Sequence, residues 1–168
     1  MKKGFTLVEL LVALGVVAIV AGVGLTNLRG RNRDERVVES AEKLKQAFLQ
    51  AKSQAQSGKK DCRLCGAVSG VCGTGDVPLL GWRVSLWPTT PPSYSILGLC
   101  DVIPFSTLGP INLSDGVAVN TSGGSSVLFI PQGLGTDLPG ASMTVQVSAT
   151  GIIRSFTIQK NGEIGPIQ

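Results

Sequence analysis

The chain has 168 residues, of which 43% are hydrophobic, 5% are aromatic and 15% are charged, and its formal net charge is +4. This length fits one modest domain plus an extended element. The sequence contains no histidine, which excludes Ser-His-Asp or Cys-His catalysis and every imidazole metal site. We therefore predict a structural protein and not an enzyme, without catalytic residues, cofactor or metal.

The first predicted element is an apolar helix. Lys2 and Lys3 begin the chain, and no charged residue occurs from Leu10 to Leu28. A helix over residues 5–28 would extend roughly 36 Å, enough to cross a hydrocarbon core of roughly 30 Å. A cleaved secretory signal and a plain membrane anchor are the alternatives.

The helical pattern continues past this apolar stretch into an amphipathic half over residues 29–58. Six apolar residues recur in steps of 4, 3, 4, 3 and 4, namely Val37, Ala41, Leu44, Phe48, Ala51 and Ala55. No proline occurs before Gly58, which fits the residue after a helix end. The spacing predicts one helix from about Phe5 to Ser57, which argues against an ordinary signal peptide.

Glu9 is out of place in the apolar half. An ionised side chain at membrane depth costs roughly 2.5–3.5 kcal/mol, so it needs a partner or a role. Thr6 and Glu9 have the spacing of a helix capping box. A capping box explains why glutamate is tolerated there, but it does not explain why the helix begins so close to the start of the chain.

The residues around Glu9 carry a resemblance. Gly4 followed by Phe5-Thr6-Leu7-Val8-Glu9-Leu10-Leu11 resembles the processing site of type IV pilins and of the pseudopilins of type II secretion. The resemblance implies that a leader of residues 1–4 is removed after Gly4 by a membrane aspartic peptidase. Phe5 then becomes the methylated first residue, and Glu9 stands fifth from the new terminus.

The same resemblance implies a role for Glu9 and a set of partners. Its carboxylate would pair with the Phe5 amine of another subunit or of its own. The implied partners are a prepilin peptidase/N-methyltransferase, other pilin or pseudopilin subunits, an inner-membrane assembly platform and membrane lipid. The chain would cross the cytoplasmic membrane once, with its C-terminal domain outside the cytoplasm, before it enters a pilus or pseudopilus.

A basic segment follows the apolar half, and residues 26–60 carry a net charge of +5. Its arginines are Arg29, Arg31, Arg33 and Arg36. The favoured interpretation is a solvated polar face that also meets lipid headgroups, and the alternative is phosphate binding, including nucleic acid. No aromatic residue is interleaved with these arginines to stack on bases, so nucleic acid is the less favoured partner.

Residues 81–168 predict a β-rich globular domain. Turn signals at Thr150-Gly151 and Asn161-Gly162 separate short β-favouring runs. These runs cover residues 82–87, 116–120, 125–130, 143–148 and 153–158. We expect an α+β fold, in which the long N-terminal helix packs its amphipathic half on an antiparallel meander, as the resemblance to pilins also implies.

Three segments of this domain resemble the GspH/FimT group of minor pseudopilins and minor pilins. They are Gly81-Trp82-Arg83-Val84, Leu128-Phe129-Ile130-Pro131-Gln132-Gly133, and Phe156-Thr157-Ile158 with Asn161-Gly162-Glu163-Ile164. The resemblance implies a minor subunit. A major pilin and a DNA-binding minor pilin for uptake or adhesion are the alternatives.

Four cysteines follow the spacing C-x2-C-x6-C-x27-C, and three of them lie in a Cys/Gly-rich loop over residues 59–80. They are Cys62, Cys65, Cys72 and Cys100. The implied location outside the cytoplasm and the even count favour two disulfides, with three possible connectivities. A zinc site, partly reduced thiols and a C-x-x-C redox pair are the alternatives.

Overall fold

The structure is a computed structural model that describes residues 6–61, 65, 77–101 and 103–168. At residues 21–33, 103, 106 and 107 it describes the backbone alone. The chain divides into two compact units, Met1–Glu35 and Arg36–Gln168.

One long helix, α1, spans Leu7–Gln56, which confirms the predicted single helix. Its end is set by Gly58, whose φ is +63°. The Gly58 N–H donates to the Ala55 carbonyl at 3.1 Å and the Lys59 N–H donates to the Gln54 carbonyl at 3.1 Å. These two bonds form a Schellman motif, in which glycine adopts the left-handed conformation without a Cβ penalty.

Seven strands follow the helix. Their bounds are β1 Leu79–Trp87, β2 Ser93–Cys100, β3 Ile103–Asn112, β4 Ala118–Ser122, β5 Ser126–Phe129, β6 Ser142–Ala149 and β7 Ile152–Gln159. The predicted α+β class is confirmed, and five of these strands overlap the predicted β runs. The sequence did not predict β2 or β3, because β2 contains Gly98 and β3 contains Pro104 and Pro110, which are unfavourable in strands.

The strands form two antiparallel sheets and not one consecutive meander. The first sheet has the order β3-β2-β1-β5 and the second has the order β4-β6-β7. The difference arises because β5 returns to pair with β1, while β4 pairs with β6 across the intervening chain. A short 3-10 turn, Pro131–Gly133, follows β5.

The predicted apolar stripe of α1 forms part of the core. All six of its residues are at most 1% exposed. The Phe48 ring lies 6.4 Å from the Phe129 ring in β5 and 5.8 Å from the Phe156 ring in β7, in edge-to-face geometry. One helix side chain therefore contacts both sheets.

Candidate functional site

The described chain begins with the capping box at the start of α1. The Thr6 N–H and the Thr6 hydroxyl donate to Glu9 Oε2 at 3.2 and 3.1 Å, and the Glu9 N–H donates to Thr6 Oγ1 at 3.3 Å. The predicted reciprocal capping is confirmed. Gly4 and Phe5 lie outside the described residues, so cleavage and methylation there stay predictions.

The helix surface that follows Glu9 is apolar on every side. Ten large hydrophobic side chains between residues 7 and 20 are 56% to 78% exposed, namely Leu7, Val8, Leu10, Leu11, Val12, Leu14, Val16, Val17, Ile19 and Val20. A helix that is apolar all round requires lipid or protein around it, because such a surface is unfavourable in water. Glu9 is the one charged residue in this stretch.

The predicted membrane span lies only partly within the described residues. Over the residues that the structure describes, no helix is both long enough and apolar enough to cross a membrane. The predicted span over residues 5–28 includes Phe5 and the side chains of residues 21–28, which lie outside that description. The span stays a prediction.

One disulfide joins Cys65 to Cys100, with an S–S distance of 2.00 Å and a Cα–Cα distance of 5.5 Å. Both cysteines are buried, and the bond connects the segment after α1 to the end of β2. This pairing contradicts a zinc site made of all four cysteines and a Cys62–Cys65 redox pair, because Cys65 is already bonded. Cys62 and Cys72 lie outside the described residues, so a second disulfide stays a prediction.

The structure describes the side chain of one of the four arginines that are predicted to bind phosphate. The Arg36 side chain is exposed on α1. The side chains of Arg29, Arg31 and Arg33 lie outside the described part of the chain. Phosphate binding therefore stays a prediction.

Asp137 has a structural role beside β5. Its Oδ1 accepts a hydrogen bond from the Leu128 N–H at 2.8 Å, and its own N–H donates to the Leu128 carbonyl at 3.1 Å. Two bonds to one residue occupy the outer edge of β5 where a further strand would otherwise pair. The Leu128–Gly133 motif thus belongs to a closed sheet edge.

Comparison with protein families gives a match at the N-terminus. Residues 1–25 match the family described as "Prokaryotic N-terminal methylation motif". No curated protein matches the chain, and no solved structure matches it. The family match confirms the N-terminal resemblance to type IV pilins and pseudopilins, and it does not extend to the GspH/FimT resemblance.

Proposed function

We propose that this chain, a precursor in the type IV pilin and pseudopilin family, is a minor subunit of a type IV pilus or type II secretion pseudopilus. After leader removal it would assemble through its N-terminal helix. The observation that carries the assembly role is Glu9, which lies within the matched methylation motif and is the one carboxylate among the apolar, exposed side chains of residues 7–20 of α1. A major pilin is the alternative within the family.

Leader removal would give Glu9 a new partner. Hydrolysis of the bond after Gly4 creates an α-amine on Phe5, which is protonated near neutral pH because α-amino groups have pKa values of about 8. The capping bonds from Thr6 use Glu9 Oε2, and no other described residue donates a hydrogen bond to Oε1. The carboxylate can therefore cap its helix and accept a bond from an amine at the same time.

In a lipid-like environment this pairing would direct assembly. A carboxylate held at membrane depth without a counter-charge is costly, so a subunit that offers a Phe5 amine lowers that cost. Random packing between apolar helices has no such preference. Glu9 would thus select the axial register of neighbouring subunits, while the apolar side chains supply the contact area.

The proposed location is the cytoplasmic membrane, with the C-terminal domain outside the cytoplasm, and then the filament. The Cys65–Cys100 disulfide supports a domain in an oxidising compartment, since disulfides are rare in the cytosol. The helix from Leu7 onwards would be surrounded first by lipid and later by other subunits. The processing peptidase and the assembly platform would act from the membrane.

The test is intact-mass and N-terminal analysis of the membrane-extracted chain, co-expressed with a prepilin peptidase. The wild-type chain should begin at methylated Phe5, while Gly4→Ala should retain residues 1–4. Gly15→Ala is the matched control, because no atom beyond its chain neighbours and the adjoining helix backbone lies within 4 Å of its added Cβ, and it should be processed normally. A wild-type chain that begins at Met1 would refute the processing step.

A second variant separates processing from assembly. Glu9→Gln keeps the side-chain shape but removes the charge, so we expect normal leader removal and a loss of the chain from sheared filaments. Abundance of the wild-type chain in those filaments distinguishes a minor from a major subunit. Incorporation of Glu9→Gln at the wild-type level would contradict the role of the carboxylate in assembly.

A further inference from the structure

We propose that the open edge of β4 binds an extended, uncharged segment of a partner polypeptide as an additional strand. β4 pairs with β6 on one side, and no strand pairs with its other side in the part of the chain that the structure describes. Exposed strand edges bind extended peptides because their N–H and C=O groups lack partners. This edge would accept a strand whether or not the chain enters a filament.

The backbone direction of β4 follows from one hydrogen bond. The Thr144 N–H of β6 donates to Ser122 Oγ at 3.2 Å, so the backbone N–H of Thr144 points toward β4. The backbone N–H and C=O groups of successive residues point to opposite sides of a strand. Those of Ser122, Asn120 and Ala118 in β4 therefore point toward β6. The N–H and C=O groups of Val119 and Thr121 therefore point toward the open side.

The same alternation agrees with the far side of this sheet. The Ser155 and Gln159 N–H groups of β7 point away from β6, where they donate to the carbonyls of Gln168 at 3.0 Å and Glu163 at 2.8 Å. The Gly165 N–H donates to the Thr157 carbonyl at 2.8 Å. The C-terminal segment thus covers the outer edge of β7.

The two edges of the first sheet are also protected. Asp137 occupies the outer edge of β5 through its two bonds to Leu128. β3 carries Pro104 and Pro110, and its pairing with β2 is irregular at two places. Prolines and bulges are common devices that prevent further strands from pairing with an edge.

β4 has none of these devices. Its sequence, Ala-Val-Asn-Thr-Ser, contains neither a charge nor a proline, and its register with β6 is unbroken. Among the strand edges that the structure describes, it is the one that remains suited to a further strand.

A groove beside β4 indicates what kind of segment would bind. It has a volume of about 200 Å³ and is lined by Leu86, Pro88, Val119, Asn120, Thr121 and Ser125. Pockets for drug-sized ligands are larger, roughly 300–1,000 Å³. The lining carries no charge, and the side chains of Leu86 and Val119 are buried. The groove therefore fits small uncharged side chains of a strand that is held mainly by backbone hydrogen bonds.

The probe is the synthetic peptide Ser-Met-Thr-Val-Gln-Val-Ser-Ala, which has the sequence of β6. This sequence already pairs antiparallel with β4, is uncharged and contains no proline. It is added to the isotope-labelled full chain in detergent micelles, and amide shifts and hydrogen exchange are recorded. We expect the Val119 and Thr121 amides to shift and to exchange more slowly, and a peptide with lysine at both valine positions to have no such effect.

Two substitutions at one position test the edge. Thr121→Pro removes an outward N–H without removing a bond to β6, and it should weaken peptide binding roughly fivefold to tenfold. Thr121→Val keeps the N–H and should bind like the wild type. If Thr121→Pro does not fold, Thr121→Lys, which places a charge at the groove, should reduce binding instead.

Three results would overturn the proposal. One is the absence of shifts at Val119 and Thr121 at millimolar peptide, and another is wild-type affinity in the folded Thr121→Pro and Thr121→Lys variants. The third is protection of both amides without peptide that disappears on dilution, because a second copy of the chain would then occupy the edge.

Discussion

The Phe105 ring of β3 lies across the backbone of Gly98, its cross-strand partner in β2. Gly98 also pairs with Trp82 of β1 on its other side. The Phe105 and Trp82 rings meet edge to face, with a centroid distance of 5.3 Å and an interplanar angle of 85°. Because glycine has no side chain, the aromatic pair can meet over the middle strand and join three strands of the first sheet.

Gly98→Ala should destabilise the domain by about 1–3 kcal/mol, the usual cost of overpacking. A Cβ at this position would overlap the Phe105 ring. The measurement is urea unfolding of the full chain in detergent, followed by tryptophan fluorescence. Gly109→Ala is the control in β3, because no atom lies within 4 Å of its added Cβ. Equal losses in both variants would contradict the role of the Phe105 contact.

Phe48→Ala should reduce the free energy of unfolding by about 3–5 kcal/mol, since it removes a buried ring and leaves a cavity. The ring contacts Phe129 of the first sheet and Phe156 of the second, so we expect both sheets to lose protection together in hydrogen exchange. Leu49→Ala, at the neighbouring and exposed position, should change stability little. Loss of protection in one sheet alone would refute the bridging role.

Tyr94 should make the domain sensitive to alkali. Burial raises the pKa of its hydroxyl above the ordinary value of 10.0, and the positive charge of Lys43 lowers it in part. Because the folded-state pKa is the higher one, this contribution to stability is complete below the unfolded pKa and is lost as pH rises through the folded pKa. Tyr94→Phe should remove this part of the pH dependence.

The measurement for Tyr94 is unfolding at a series of pH values from neutral to alkaline. Tyr94 is the one tyrosine of the chain, so the near-ultraviolet absorbance of tyrosinate reports its titration directly. A titration midpoint below 10.0, or an identical alkaline loss of stability in Tyr94→Phe, would contradict this prediction.

The Cys65–Cys100 disulfide should stabilise the domain by about 4 kcal/mol in the chain-entropy treatment, because it closes a loop with a sequence separation of 35 residues. We expect Cys65→Ser/Cys100→Ser to lower the unfolding midpoint. Because this double variant lacks the Cys65–Cys100 bond, mild reductant should have little further effect on its midpoint. Cys62→Ser/Cys72→Ser is the comparison, and its mass before and after alkylation tests the predicted second bridge. An unchanged midpoint in the first variant would show that the bond contributes nothing to stability.

Local patterns predicted the helix well. The 3.6-residue period of the Val37–Ala55 stripe, the Thr6–Glu9 spacing and Gly58 each depend on neighbours within a few residues. Sheet order does not have this property. The return of β5 to β1 joins Trp82 to Phe129, and no short-range signal marks that pairing. The same limit hid the open edge of β4, which depends on which strands lie beside it.

The candidate site shows a similar division. The methylation motif is local, so roles for Gly4, Phe5 and Glu9 could be predicted from their spacing. Cysteine connectivity is not local, because three pairings were compatible with the four positions. The Cys65–Cys100 bond depends on the chain path that brings the segment after α1 to the end of β2. The role of Gly98 was not predicted, because it depends on the Phe105 ring that lies across its backbone.

The buried stripe on α1 has a consequence for exchanging segments between related chains. Residues 37–55 of the helix form one side of the domain core, and Phe48 packs against one aromatic ring in each sheet. The indole N–H of Trp82 also donates to the Lys59 carbonyl at 2.9 Å, just past the helix end. The β-rich domain, transplanted without this stretch of helix, would have its apolar core exposed to solvent. The β-rich domain and residues 37–55 of α1 therefore cannot be exchanged separately, and a working chimera must have its junction before Val37.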